Sequence, residues 1–221
     1  MKKEIIRSLI ICAILILVGI ILGMIITKSM WGKRMKKEIT IGVSNRHIHL
    51  TKETYYKLFD DNFNVLRDLT QPGMFVTDKT VTLQTDNYEI PNVKLLGPLR
   101  EYDQVEISHN DALKFKIDPP VRASGDVEGA SNITIKTDKA SITLPCAIIA
   151  ERHIHISQKE ADELNLKDKQ IVQVKIPGIK SGVVDAHIKV SKEAFFEMHI
   201  DTDDANAFII NNDNNKGTLI Y

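Results

Sequence analysis

Residues 43–59, VSNRHIHLTKETYYKLF, recur 106 positions later as IAERHIHISQKEADELN over residues 149–165. Each copy is an apolar strand-like stretch, then Arg-His-Ile-His, then a hydroxyl residue and a short helical pattern. Thr51 and Ser157 are the helix caps, and only Ser157, with Glu160 three residues on, has capping-box spacing. One copy in each half of a 221-residue chain implies two related modules about a pseudo-twofold.

The rest of the chain supports β modules. EITIGV (38–43), KTVTLQT (79–85), YDQVEIS (102–108), SNITIKT (131–137), ASITLPCAIIA (140–150), QIVQVKI (170–176) and DAHIKV (185–190) are apolar or alternate with period two, and Pro, Gly, Asn and Asp separate them. Helical patterns are short: KETYYKLF (52–59), KEADELN (159–165) and KEAFFEM (192–198). The expected fold is mainly β, barrel or sandwich modules with few short helices, rather than a doubly wound α/β sheet. No glycine-rich phosphate loop is present. The expected division is residues 38–150, with the first His-x-His, and 151–221, with the second.

Charge sets the N-terminus apart. Lys+Arg and Asp+Glu are 29 each, yet residues 1–37 hold eight basic residues against Glu4 alone. That is +7 on the first 37 residues and −7 on the remainder. An acidic body of this kind is not expected to bind nucleic acid. Residues 8–27, SLIICAILILVGIILGMIIT, carry no charge and as a helix would extend about 30 Å, the thickness of a bilayer core. A signal peptide is the rival reading, but the run is long and no small-x-small cleavage site follows it. Residues 1–37 are therefore expected to form a membrane anchor with one transmembrane helix. Trp31 and the following lysines suit an interfacial belt, and the heavier C-terminal positive flank places the globule in the cytoplasm. Gly19 and Gly23 form a GxxxG, a pattern common by chance in such runs. Cys12 and Cys146 are read as two buried thiols, not a disulfide.

His47 and His49 are two apart, so in an extended chain both rings leave the same face and converge on one ion. His153 and His155 repeat the arrangement. A single His-x-His is commonly an ordinary surface or core pair; two copies, each after an arginine at a strand end, point to metal, zinc above all. Further ligands should be His or carboxylate. His199 lies in MHIDTDDANA (198–207) and Glu106 on the polar side of QVEIS (104–108), where a carboxylate is by itself equally well a solvated group. Asp201, Asp203 and Asp204 suit either support of a ligand or a solvated loop. His109 and His187 lack a partner at chelating spacing. Arg100, after a Gly-Pro turn, and Arg122 have the planar fork that recognises phosphate or carboxylate, though either is equally an ion-pair member.

Taken together, VSNRHIHLT (43–51), LRDLTQPGMF (66–75), GPLREYDQVEIS (97–108), PVRASGD (120–126), IIAERHIH (148–155) and MHIDTDDANA (198–207) resemble the phosphate propanoyltransferase family, the propanediol-utilisation type of phosphotransacylase. The resemblance runs from about Ile39 to Ala207. It implies a mainly β fold of two β-barrel domains capped by short helices, commonly in a dimer, with strand 39–45 joining the C-terminal barrel. It also implies reversible transfer of a short acyl group between coenzyme A and inorganic phosphate, so that acyl-CoA, acyl phosphate and phosphate are the partners. Of the two zinc ions it implies, one matches His47 and His49, and the other Glu106, His153, His155 and His199; the phosphate-binding arginine matches Arg100. The chain departs from the family at TDKA (137–140), where relatives often have Gly-Pro-x-Gly. It also has the apolar span where many relatives carry a short amphipathic helix that directs them to a bacterial microcompartment. The location implied is thus a single-pass protein of the cell membrane, with cytoplasm or microcompartment as the alternative. A membrane-anchored zinc hydrolase of acyl phosphate or thioester is the rival function, although no HExxH is present; a metal sensor without turnover is a third.

Overall fold

Strand β1 (Lys36–Val43) shows how the sequence builds the fold: Ile39 and Ile41 are buried while the residues between them are more exposed, the alternation a strand with one core face demands. The computed structural model describes residues 7, 13–24 and 34–221. Residues up to Lys36 form one unit and Lys37–Tyr221 another.

The expected transmembrane helix is not borne out, and with it falls the single-pass location at the cell membrane. Among the described residues no helix is long and apolar enough to cross a membrane. Residues 13–24 are helical, but at 1.5 Å per residue they extend only about 18 Å, against about 30 Å of hydrocarbon. Residues 8–12 and 25–27 of the expected span, with Cys12 and Trp31, lie outside the described residues.

In the larger unit β1 is followed by β2 (His47–His49), α1 (Lys52–Leu58), β3 (Val65–Asp68), β4 (Phe75–Gln84), β5 (Glu89–Gly97), β6 (Gln104–Glu106), α2 (His109–Phe115), β7 (Val121–Arg122), β8 (Ser131–Lys136) and β9 (Ser141–Ala150). Then come β10 (His153–Ser157), α3 (Gln158–Leu164), β11 (Ile171–Ile176), β12 (Gly182–Ser191), β13 (Glu197–Ile200), α4 (Thr202–Phe208) and β14 (Lys216–Ile220).

Two barrel-like sheets result. One is a closed barrel in the order β1-β13-β10-β12-β11-β14. In the other, the pairings β9-β6-β2-β5-β4-β8 return from β8 to β9. The two rings follow one scheme: β1 and β9 each run parallel to the next strand (β13, β6), which is antiparallel to a histidine strand (β10, β2), itself parallel to β12 or β5. Each strand leading into an Arg-His-Ile-His thus sits beside the partner strand of the other copy. Separate apolar cores fill the rings, around Ile39, Ile154, Val174 and Met198 in one and Ile48, Leu83, Leu95 and Ile133 in the other.

The caps read from sequence are present. Thr51 and Ser157 accept backbone N–H groups of Thr54 and Glu160, at 3.1 and 3.3 Å. The helix expected over 192–198 does not form: the Gln71 side chain donates to the carbonyl of Phe195 and accepts its N–H, holding that backbone open until β13 begins. Two unexpected helices, α2 and α4, follow β6 and β13 and are capped by Ser108 and Asp201.

Candidate metal and phosphate site

The histidine rings are aimed by their own backbone. His47 Nδ1 lies 2.8 Å from the carbonyl of Asn45, and His153 Nδ1 lies 2.9 Å from that of Glu151. A carbonyl only accepts, so each Nδ1 carries the proton, which leaves Nε2 as the nitrogen that could bind a metal. His49 Nδ1 points in the same way at the Leu96 carbonyl, at 3.3 Å. Such outer hydrogen bonds are the usual means of fixing a ligating imidazole.

Two donor groups result. His47, His49 and Glu106 form one; His153, His155 and His199 form the other; within each, the donor atoms lie within 4.8 Å of one another. Nitrogen and carboxylate donors at this spacing fit a zinc-type ion. The charge state fits too. Burial, reinforced by neighbouring imidazoles, pulls His49 down to about 3 and His155 to about 2, and burial brings His153 to about 4. All three are neutral near pH 7, the ligating form. His153 and His155 face each other Nε2 to Nε2 at 3.1 Å, an approach two protonated rings would not make. Burial opposes charge on both His47 and Glu106, 3.4 Å apart, yet their attraction outweighs it, raising the His47 pKa and lowering that of Glu106.

Glu106, matched through the resemblance to the second histidine pair, has its carboxylate with the first. Its charge still acts on His153 and His155, and Glu106, His153 and His199 line one hollow with Ser44, Arg46 and Asp201. The two groups therefore face a common space.

A second repeat, not evident from the sequence, builds these groups. QVEISHNDA (104–112) and EMHIDTDDA (197–205) are the same element: strand, N-cap, helix. β6 pairs with β2 and β13 with β10 in one register, so Glu106 opposes His47 as His199 opposes His153. Gln104 and Glu197 are equivalent, and Glu197 accepts from His199 Nε2 at 2.9 Å. The arginine before each histidine pair grips the aspartate of the equivalent helix: Arg46 to Asp111 at 2.6 and 3.0 Å, Arg152 to Asp204 at 2.7 and 2.6 Å. Asn110 and Asp203, also equivalent, touch each other at 2.7 Å, as residues beside a twofold must. The shared Ile, Asp and Ala at 107, 111 and 112 and at 200, 204 and 205 were the available signal. Asp201, Asp203 and Asp204 are thus a cap, a contact and an ion-pair partner.

Arg100 is held by its backbone, whose N–H bonds the Leu50 carbonyl at 2.8 Å just beyond β2. Gly97 opens its turn, with the Phe75 ring lying where a side chain would be. The guanidinium contacts the Tyr102 hydroxyl, Ser124 Oγ and Met74 Sδ; its charge reaches His47 and His49. Among the described residues it makes no ion pair with a carboxylate, which leaves its fork available to an anion. Arg122 is instead occupied by the Glu128 carbonyl and Asp126. His187 pairs with Glu151 at 3.0 Å, and neither it nor His109 joins a donor group.

Comparison with known proteins identifies the family. The family model described as phosphate propanoyltransferase matches residues 40–211. The phosphate propanoyltransferase of Thermotoga maritima is 39% identical over 193 residues, 85% of this chain and 90% of that protein. That of Salmonella typhimurium is 42% identical over 176 residues, 78% and 84%, and that of Clostridioides difficile 39% over 180 residues, 79% and 86%. With a family match over residues 40–211 and identity of this order over most of the chain, the chain belongs to the phosphate propanoyltransferase family and is a transferase.

Proposed function

We propose that this protein moves a short acyl group, propanoyl or its neighbours acetyl and butanoyl, reversibly between coenzyme A and inorganic phosphate, with two zinc ions held by the two donor groups. The observation that carries this reading is that two donor groups meet at one hollow, one of three imidazoles and one of two imidazoles and a carboxylate, beside a guanidinium that has no carboxylate partner among the described residues.

Bound zinc would supply Lewis acidity toward the thioester carbonyl and favour the departing thiolate. Arg100 binds phosphate through its fork and aims one oxygen at the carbonyl carbon. That oxygen forms the new C–O bond as the C–S bond breaks; the reverse reaction has the thiolate attack acyl phosphate. No side chain is needed as a nucleophile. The one described cysteine, Cys146, is buried, and burial pushes its thiol up to about 12, so it takes no part. Every residue in this scheme comes from one chain. Propanoyl, acetyl and butanoyl differ by methylenes worth about 0.8 kcal/mol each, so preference among them is expected to be modest.

The test is thiol release from acetyl-, propanoyl- and butanoyl-CoA with and without phosphate, with acyl phosphate trapped as a hydroxamate and metal measured on the same sample. Phosphate-dependent release with one zinc per donor group is expected. Release that ignores phosphate would make the protein a hydrolase; no release with any substrate would sink the transferase.

A further inference from the structure

The cationic side of the cleft extends beyond Arg100. β12 runs parallel to β10 with His153 opposite His187 and His155 opposite Lys189. Paired residues on neighbouring strands project from the same face. Here that face points away from the barrel interior, because Ile154, Ile156 and Ile188 on the opposite face are core residues. Lys189 therefore leaves the sheet beside His155, toward the donor groups.

Lys189 is partly covered, yet it makes no ion pair among the described residues. The carboxylates whose charge reaches it are Glu106, Glu151 and Asp168, and each is engaged elsewhere. Glu106 lies 3.4 Å from His47, Glu151 lies 3.0 Å from His187, and Asp168 accepts the N–H of Val190 at 2.9 Å. Arg100 meets Ser124, which Gln104 also contacts, and Gln104 bonds Glu106 of the first donor group, while Lys189 stands beside His155 of the second. Two cations flanking the donor groups, with no carboxylate paired to either among the described residues, make a site for a dianion.

We propose that Lys189 is a second phosphate-binding cation, holding with Arg100 the inorganic phosphate, or the phosphoryl end of the acyl phosphate, beside the donor groups. This rests on the acyl-transfer reading above. The arginine fork fixes the orientation of phosphate, and the ammonium adds charge without imposing direction.

The test uses the full chain, as wild type, Lys189→Gln, which removes the charge but keeps much of the stem, and Lys189→Arg, which keeps the charge. Inorganic phosphate alone is titrated while the melting temperature is followed; metal content and the KM values for phosphate and acyl-CoA are measured in parallel. For Lys189→Gln, the phosphate needed for a half-maximal melting shift and the phosphate KM should each rise about tenfold or more, the scale of a charge-assisted hydrogen bond. Metal content should stay at the wild-type value, acyl-CoA KM should change less than about twofold, and Lys189→Arg should recover most of the loss. An unchanged phosphate dependence would overturn the proposal. So would a rise in acyl-CoA KM alone, which would give the ammonium to the phosphates of coenzyme A, or loss of metal, which would make Lys189 a support for His155. If wild type shows no phosphate-dependent thiol release, the transferase reading fails on its own, and the phosphate-dependent melting shift still decides whether Lys189 binds the anion.

Discussion

Replacing Arg46 by alanine should destabilise the protein more than replacing its pseudo-equivalent Arg152, although both grip an aspartate with two bonds. The difference lies in what is left behind. The Asp111 side chain is 1% exposed and that of Asp204 is 17% exposed. Without Arg46, Asp111 keeps its carboxylate in a nearly dry position, with Lys114 4.0 Å away as its remaining cation. Stranding a buried charge costs about 3–5 kcal/mol. Arg46 is itself 31% exposed, so water enters part of the gap and the lower end, about 3 kcal/mol, applies. Asp204 recovers water more readily, and about 1 kcal/mol is expected for Arg152→Ala. At about 2–4 °C per kcal/mol for a chain of this size, Arg46→Ala should melt about 6–12 °C below wild type and Arg152→Ala about 2–4 °C below. Thermal melts of metal-free protein read the difference without interference from ligand binding. Removing Asp111 as well should return part of the lost stability, since the stranded charge goes with it. If Arg46→Ala melts no lower than Arg152→Ala, or the double variant is additive, burial is not what separates the two pairs.

Three further outcomes follow from the same geometry. Arg100→Ala should raise the phosphate concentration needed for thiol release at least about tenfold with metal content unchanged; loss of metal would mean that Arg100 supports the donor groups instead of binding phosphate. In Gly42→Ala the new Cβ would lie 3.0 Å from Glu197 Cδ and 3.2 Å from His199 Cδ2, displacing His199, so metal should be lost selectively from the second group; full stoichiometry would show that Glu197 and His199 move aside freely. Ile41→Ala removes a core side chain from β1 and should cost about 2–4 kcal/mol in urea unfolding, whereas a loss under about 0.5 kcal/mol would mean that β1 is not an integral strand of the second barrel.

The histidine repeat was legible because Arg-His-Ile-His is identical in both copies and stands at strand ends. Its counterpart, Glu106 and His199 on β6 and β13, was not. There the donors differ, the caps differ (Ser108 against Asp201), and the equivalence lies in strand register and in which arginine each aspartate meets. Helices α2 and α4 are seven residues each, no shorter than α1 and α3, but HNDALKF and TDDANAF have Asn or Asp in their first turns, residues that favour caps and turns over helix interiors. KEAFFEM at 192–198 fails in the opposite direction: its residues favour a helix, and one buried side chain, Gln71, overrides them through Phe195. Hydropathy over residues 8–27 suggested a length that the described helix, residues 13–24, does not reach. Lys189 was hidden because only the pairing of β12 with β10 brings it beside His155.

The crossed strands explain why the two donor groups stay together. β1 enters the first histidine pair but lies beside β13, which carries His199; β9 enters the second but lies beside β6, which carries Glu106. Moving one barrel relative to the other therefore pulls on strands that hold residues of both groups, so the spacing between them resists small deformations. The pseudo-twofold that sets this spacing does not force the groups to be alike. Glu106 with Gln104 on one side becomes His199 with Glu197 on the other, which leaves one carboxylate beside each group but in a different place. In the first it is a donor. In the second it accepts from the donor, leaving three imidazoles facing the cleft. Repetition of the backbone supplies two groups at a fixed separation, and exchange of two side chains makes them chemically distinct.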